Sequence, residues 1–223
     1  MTHLPKTIWE GAFSYRAYRD LIGSLLAKDR TTGDNHSQAM LHYTRMSTVR
    51  MKRLDKTIRL LPEVEEALQS ATKPLRWLVL TEAWCGDAGQ SIPVMAAMAA
   101  QHPAMDFRLI LRDEHPDIMD AFRTNGGRSI PKLLLMDSDS LKVLATWGPR
   151  PEELQCKVQQ DRATLATLTD EDARRDFLQQ AIIEAQKWYT KDKTQSIQRE
   201  LLREVQKAQA LAEDMIRPAS SNR

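Results

Sequence analysis

Residues 81–88, Thr81-Glu82-Ala83-Trp84-Cys85-Gly86-Asp87-Ala88, decide the fold. The apolar run Leu75-Arg76-Trp77-Leu78-Val79-Leu80 leads into them, and the small and apolar residues Ile92 to Ala100 lead out. The change of period predicts a buried strand, a tight turn and a helix that starts at the cysteine. A cysteine at a helix start faces unpaired N–H groups and the positive end of the helix dipole. Both favour thiolate, so Cys85 is a candidate low-pKa nucleophile. The competing reading is a small buried residue in a strand-to-helix corner.

Working outward, Phe107 to Leu111 reads as a second strand and Lys132 to Met136 as a third, just after Pro131. Lys142 to Trp147 returns as a hairpin partner across the turn at 137–140. Gly148-Pro149-Arg150-Pro151 ends the sheet. A short helix is expected over 117–122. Pro93, eight residues into the helix after Cys85, should bend it. Strand, helix, strand, helix, hairpin predicts an α/β fold, one mixed sheet with flanking helices.

The rest reads as helix. Tyr15, Tyr18, Leu21, Ile22, Leu25 and Leu26 give one face of a helix from Ile8 to about Lys28. A second runs from Ser37 to about Leu54, and a third opens at Pro62 with acids in its first turn. Glu152 to about Leu168 forms another. Thr169 to Asp172 resembles a capping box before a helix carrying Phe177, Leu178, Ala181, Ile182, Ala185, Trp188 and Tyr189. A last helix carries Ile197, Leu201, Val205, Ala208, Leu211 and Met215.

Composition excludes several classes. The 223 residues carry a formal net charge of +2, are 42% apolar and contain two cysteines, Cys85 and Cys156. Two cysteines make neither a disulfide framework nor a zinc pattern, and the five histidines lack ligand spacing, so no metal is expected. The basic stretch Arg45, Arg50, Lys52, Arg53, Lys56 and Arg59 lacks interleaved aromatics and reads as a solvated helix face, not a nucleic-acid patch. No window approaches ~18 consecutive apolar residues, and the first residues lack an apolar signal core. A cytoplasmic protein with no membrane partner is expected.

Trp84-Cys85-Gly86 between strand and helix, Ile130-Pro131 opening a later strand, and Gly148 after the closing hairpin together resemble the thioredoxin-like superfamily. The longer stretches 82–88, 126–132 and 146–150 look like one bacterial branch of it with helical extensions on both sides. The resemblance implies a helical N-terminal extension over 1–73, a thioredoxin-like domain over 74–150, a helical C-terminal extension over 151–217 packed on it, and a disordered tail over 218–223. It also implies a cis bond at Ile130-Pro131. Position 88 is alanine where thioredoxins carry a second cysteine, so exchange within the motif is impossible. Val79 stands where thioredoxins carry a buried acid. Glu82, three residues before Cys85, is expected in solvent.

The function this implies is that of a monothiol redox protein. Cys85 attacks a protein disulfide or a glutathionylated cysteine to form a mixed disulfide, and glutathione or another protein thiol releases it, glutathione serving as co-substrate with no bound cofactor. Trp84, Gly86, Asp87, Ile130 and Pro131 contact the substrate, while Arg128, and Arg150 with it, hold a ligand carboxylate. Asp87 either caps the helix or raises the thiol pKa by its charge. The alternative is a non-catalytic module that holds a partner peptide on the Pro131 face. Cys156, among Leu154 and Val158, reads as a buried free thiol and not a resolving one. Self-association through the last helix, giving a homodimer, is compatible with both.

Overall fold

The run Leu75–Leu80 has no polar face to show to water, so it has to lie mid-sheet. In the computed structural model, which describes residues 2–216, it does. The five strands are β1 (Phe13–Ser14), β2 (Leu75–Thr81), β3 (Met105–Leu111), β4 (Lys132–Asp137) and β5 (Val143–Trp147). Their order is β1-β3-β2-β4-β5. β2 pairs parallel with β3 (Val79 with Leu109) and antiparallel with β4 (Val79 with Leu133). β4 and β5 form an antiparallel hairpin with a register shift at Leu135/Met136. The sheet is mixed and the fold is the expected α/β class.

The first helical stretch is not continuous. It divides into α1 (Lys6–Gly11) and α2 (Tyr15–Leu26). Between them Phe13 and Ser14 pair with Leu109 and Arg108 as an edge strand, and the Ser14 hydroxyl accepts the Ala17 N–H at 3.2 Å. The serine N-cap restarts the helix, a local signal that the apolar periodicity hides.

α3 (Gln38–Thr57) and α4 (Pro62–Gln69) follow before β2, and α5 (Gly86–Ala99) comes directly after it. α6 (Pro116–Ala121) precedes β4, and α7 (Glu152–Thr167), α8 (Glu171–Asp192) and α9 (Gln195–Ile216) complete the described chain. Among the described residues no helix is long and apolar enough to cross a membrane. The expected disordered tail at 218–223 lies outside the described residues.

Helix α9 buries Ile197, Leu201, Val205, Ala208 and Ala212 across β4 and β5. Buried Gln198 accepts the Leu61 N–H at 2.8 Å and donates to the Arg59 carbonyl at 3.1 Å. Gln209 accepts from Lys73 N–H and donates to its carbonyl, at 2.9 and 2.7 Å. These side chains satisfy backbone groups between helices that would otherwise be stranded. They also fix α4 and the approach to β2. α3 runs tight along α5: a Cβ at Gly89 would lie 2.6 Å from Ser47 Oγ and 3.1 Å from its Cα. The Ser47 hydroxyl donates to the Cys85 carbonyl at 3.2 Å. The motif turn is thus gripped by a helix from the N-terminal third of the chain.

Candidate functional site: the Cys85 corner

The end of β2 delivers Cys85 to the N-cap of α5, as its spacing predicts. Sγ accepts the Ala88 N–H at 3.4 Å and donates its proton to the Ile130 carbonyl at 3.3 Å. The Ile130-Pro131 bond is cis, and both residues are buried. Cysteine, cis-prolyl segment and helix start therefore meet at one point.

What the corner lacks is solvent. Cys85 is 8% exposed. Burial pushes the thiol up to about 12, and the Asp87 charge adds to the rise. The Ala88 and Asp87 N–H groups and the Arg150 cation act in the opposite direction and are outweighed. The low-pKa expectation fails for this reason. The helix-start effect is present, but desolvation of the thiolate exceeds it.

Asp87 raises the thiol pKa, one of the two tasks expected of it, and carries a third that was not expected. Its carboxylate accepts Arg150 Nε at 3.0 Å and Nη2 at 2.5 Å, and the Tyr189 hydroxyl at 2.9 Å. Arg150 also donates to Gln155 of α7 at 2.8 Å. Burial and the Asp87 charge both raise the Tyr189 pKa, so its hydroxyl stays a donor. Gln90 of α5 donates to Gln186 of α8 at 2.8 Å. At Gly86 an added Cβ would meet Arg50 Nη1 at 3.2 Å and Gln186 Nε2 at 3.5 Å. Helices α3, α7 and α8 thus close around the turn, with Asp87 as the knot.

The other expected site residues divide. Trp84 is half-buried, with the Arg112 guanidinium 5.0 Å from its ring centroid. Arg128 is exposed and holds Asp120 through two hydrogen bonds of 2.6 Å. Arg128 and Arg123 keep that carboxyl well below the usual carboxylate range. Both arginines expected to take a ligand carboxylate therefore hold one of the chain's own: Asp120 for Arg128, Asp87 for Arg150. Ile130 offers its carbonyl to the thiol.

Two further expectations are corrected. Glu82 is fully buried, not solvated. One carboxyl oxygen accepts the Asp113 N–H at 2.9 Å and the other has no partner. Burial raises its pKa, the cost of a carboxylate away from water. Cys156 is exposed on α7 instead of buried. It faces water because Leu154, two residues earlier, takes the inward position. The residues that the sequence reading missed, Tyr189, Gln186 and Arg50, lie 102, 96 or more than 30 positions from the groups they meet. No local pattern signals them.

A family model described as thioredoxin matches residues 33–164. This is more than half of the chain and reaches from before α3 into α7, beyond the expected limits of 74–150. No curated protein matches. A solved structure of a protein of unknown function from Pseudomonas aeruginosa is 18% identical, covering 78% of this chain and 95% of that one, with a TM-score of 0.42. An HIV epitope scaffold is also 18% identical, covering 64% and 81%, with a TM-score of 0.42. The sheet, the cysteine corner and the family match define a thioredoxin-fold protein. The chain belongs to the thioredoxin family.

Proposed function

We propose that this protein is a thioredoxin-fold binding module in which Cys85 is a structural thiol, not a redox nucleophile. The observation that carries this reading is the double engagement of Sγ, by the Ile130 carbonyl and the Ala88 N–H, beneath the Asp87–Arg150–Tyr189 knot. A nucleophile needs the thiolate and a path to it. Here the proton is held, the anion is disfavoured, and α7 and α8 are tied across the approach. On this reading partner binding lies away from the Pro131 face, since the Ile130 carbonyl is engaged by the thiol and the Ile130 and Pro131 side chains are buried.

The redox alternative makes a specific demand. A Cys85 thiolate would attack the disulfide of oxidised glutathione, the S–S bond would break, and reduced glutathione would leave. Incubation of the native protein with oxidised glutathione, read by intact mass, separates the two. One adduct is expected, on exposed Cys156, and the Cys156→Ser variant should take up none. A glutathione-sized adduct on Cys156→Ser that disappears in Cys156→Ser/Cys85→Ser overturns the structural reading.

A further inference from the structure

Six of the seven large hydrophobic side chains exposed among the described residues lie on two helices: Tyr43, Met46 and Val49 on α3, and Leu178, Ile182 and Ile183 on α8. The two helices meet at a cleft of about 510 Å³ lined by Arg50, Ile182, Ile183, Gln186, Lys187, Thr190 and Lys191. Along α3, Tyr43, Met46 and Arg50 are three and four residues apart and share a face. Along α8, Leu178, Ile182 and Gln186 do the same. The cleft therefore continues on either side as an apolar line. Ile182 and Ile183 are 47% and 49% exposed, an unusual state for two consecutive isoleucines.

The charges around this floor are of one sign. Three cations and no acid line the cleft. Lys187 reaches Glu184 at 2.8 Å, but neither Arg50 nor Lys191 makes an ion pair among the described residues. Arg50 is half-buried, and the one carboxylate that acts on it, Asp87, is already bound by Arg150 and Tyr189, so the Arg50 charge is partly desolvated and has no ion pair of its own. A partly desolvated cation is stabilised by an incoming anion far more than an exposed one is.

We propose that the α3–α8 groove docks an amphipathic helix of a partner protein, its apolar stripe seated on Ile182 and Ile183 and its acidic flanks on Arg50, Lys187 and Lys191. This rests on the binding-module reading and names the surface that does the binding. Helix-in-groove recognition needs an apolar floor about two or more turns long with charged rims, and both are present. The cleft is open along its length, so a small amphiphile would keep much of its surface in water, unlike a ligand in a formed pocket. A second copy packed by a two-fold axis would bring the same three cations towards each other.

The test uses the full chain and two fluorescein-labelled designed helices of about 18 residues, long enough to sustain helix. One carries a leucine stripe flanked by glutamates, and the other has lysines in place of the glutamates. Anisotropy titration is expected to show saturable binding of the glutamate helix alone. Ile182→Glu and Lys191→Glu should each weaken it about ten-fold or more. Both side chains are exposed, so thermal unfolding of the variants should be unchanged. Equal binding of both helices, or binding indifferent to Ile182→Glu, overturns the proposal. So does a concentration-dependent dimer that Ile182→Glu abolishes, which would give the groove to a second copy. Reaction of Cys85 with glutathione would sink the structural-thiol reading without touching the peptide result, and the converse also holds.

Discussion

Asp87→Ala is expected to cost about 3 kcal/mol or more, the typical penalty for orphaning one partner of a buried ion pair. The Arg150 side chain is 12% exposed and Asp87 is 16% exposed, so water replaces little of what the carboxylate supplies. Tyr189 loses its acceptor at the same time, and α8 loses one of its two polar ties to α5. The thiol should respond as well. Removing the Asp87 charge lowers the Cys85 pKa, because that charge contributes to its rise, and loosening α8 admits reagent. Cys85 alkylation should therefore quicken about ten-fold or more, in proportion to the opened population. The double variant Asp87→Ala/Arg150→Met separates the two effects. Stability should largely return, since the Arg150 cation is no longer left alone, and alkylation should slow with it, keeping only the part due to the lost Asp87 charge. An Asp87→Ala protein that denaturant titration finds as stable as wild type would contradict the proposed knot.

The second large effect is expected at Gly148. Its φ is +112°, which residues with a side chain rarely adopt. A Cβ there would sit 2.2 Å from the Pro131 carbonyl oxygen and 3.3 Å from its carbon. Both obstacles are backbone, so neither can rotate away. Gly148→Ala should cost about 3 kcal/mol or more from conformational strain and forced displacement together. The displaced segment carries Ile130, whose carbonyl holds the thiol proton, so the damage reaches the Cys85 corner. Denaturant midpoints and the Cys85 alkylation rate should move together. A variant within about 0.5 kcal/mol of wild type, as for a neutral surface change, would contradict the close approach.

These two sites show what the sequence could and could not tell. The sheet was legible because β2 is apolar on both faces and β4 nearly so, and because Gly and Pro punctuate their ends. The corner was legible because Trp84-Cys85-Gly86 sits between two such periods. The break between α1 and α2 was not, since the apolar spacing runs through it and only Ser14 marks the restart. The state of the corner was hidden for another reason. Whether Cys85 is a nucleophile or a packed thiol depends on Tyr189, Gln186 and Arg50, which reach it from distant helices. In the sequence Tyr189 is one more member of an apolar stripe and Arg50 one more charge in a basic run. Glu82 misled in the same way, because a glutamate in a turn reads as solvated until Asp113 and Thr32 are known to lie against it.

The most direct measurement of the central claim is the pH dependence of Cys85 alkylation by iodoacetamide in the Cys156→Ser protein, native and urea-unfolded. A thiol raised by burial stays protonated through the range where a free cysteine, at ~8.5, ionises. The native rate should remain about a hundred-fold or more below the unfolded rate at pH 8 and show no plateau near ~8.5. A native titration with a midpoint at or below that value, and a rate approaching that of the unfolded chain, would contradict a sealed structural thiol.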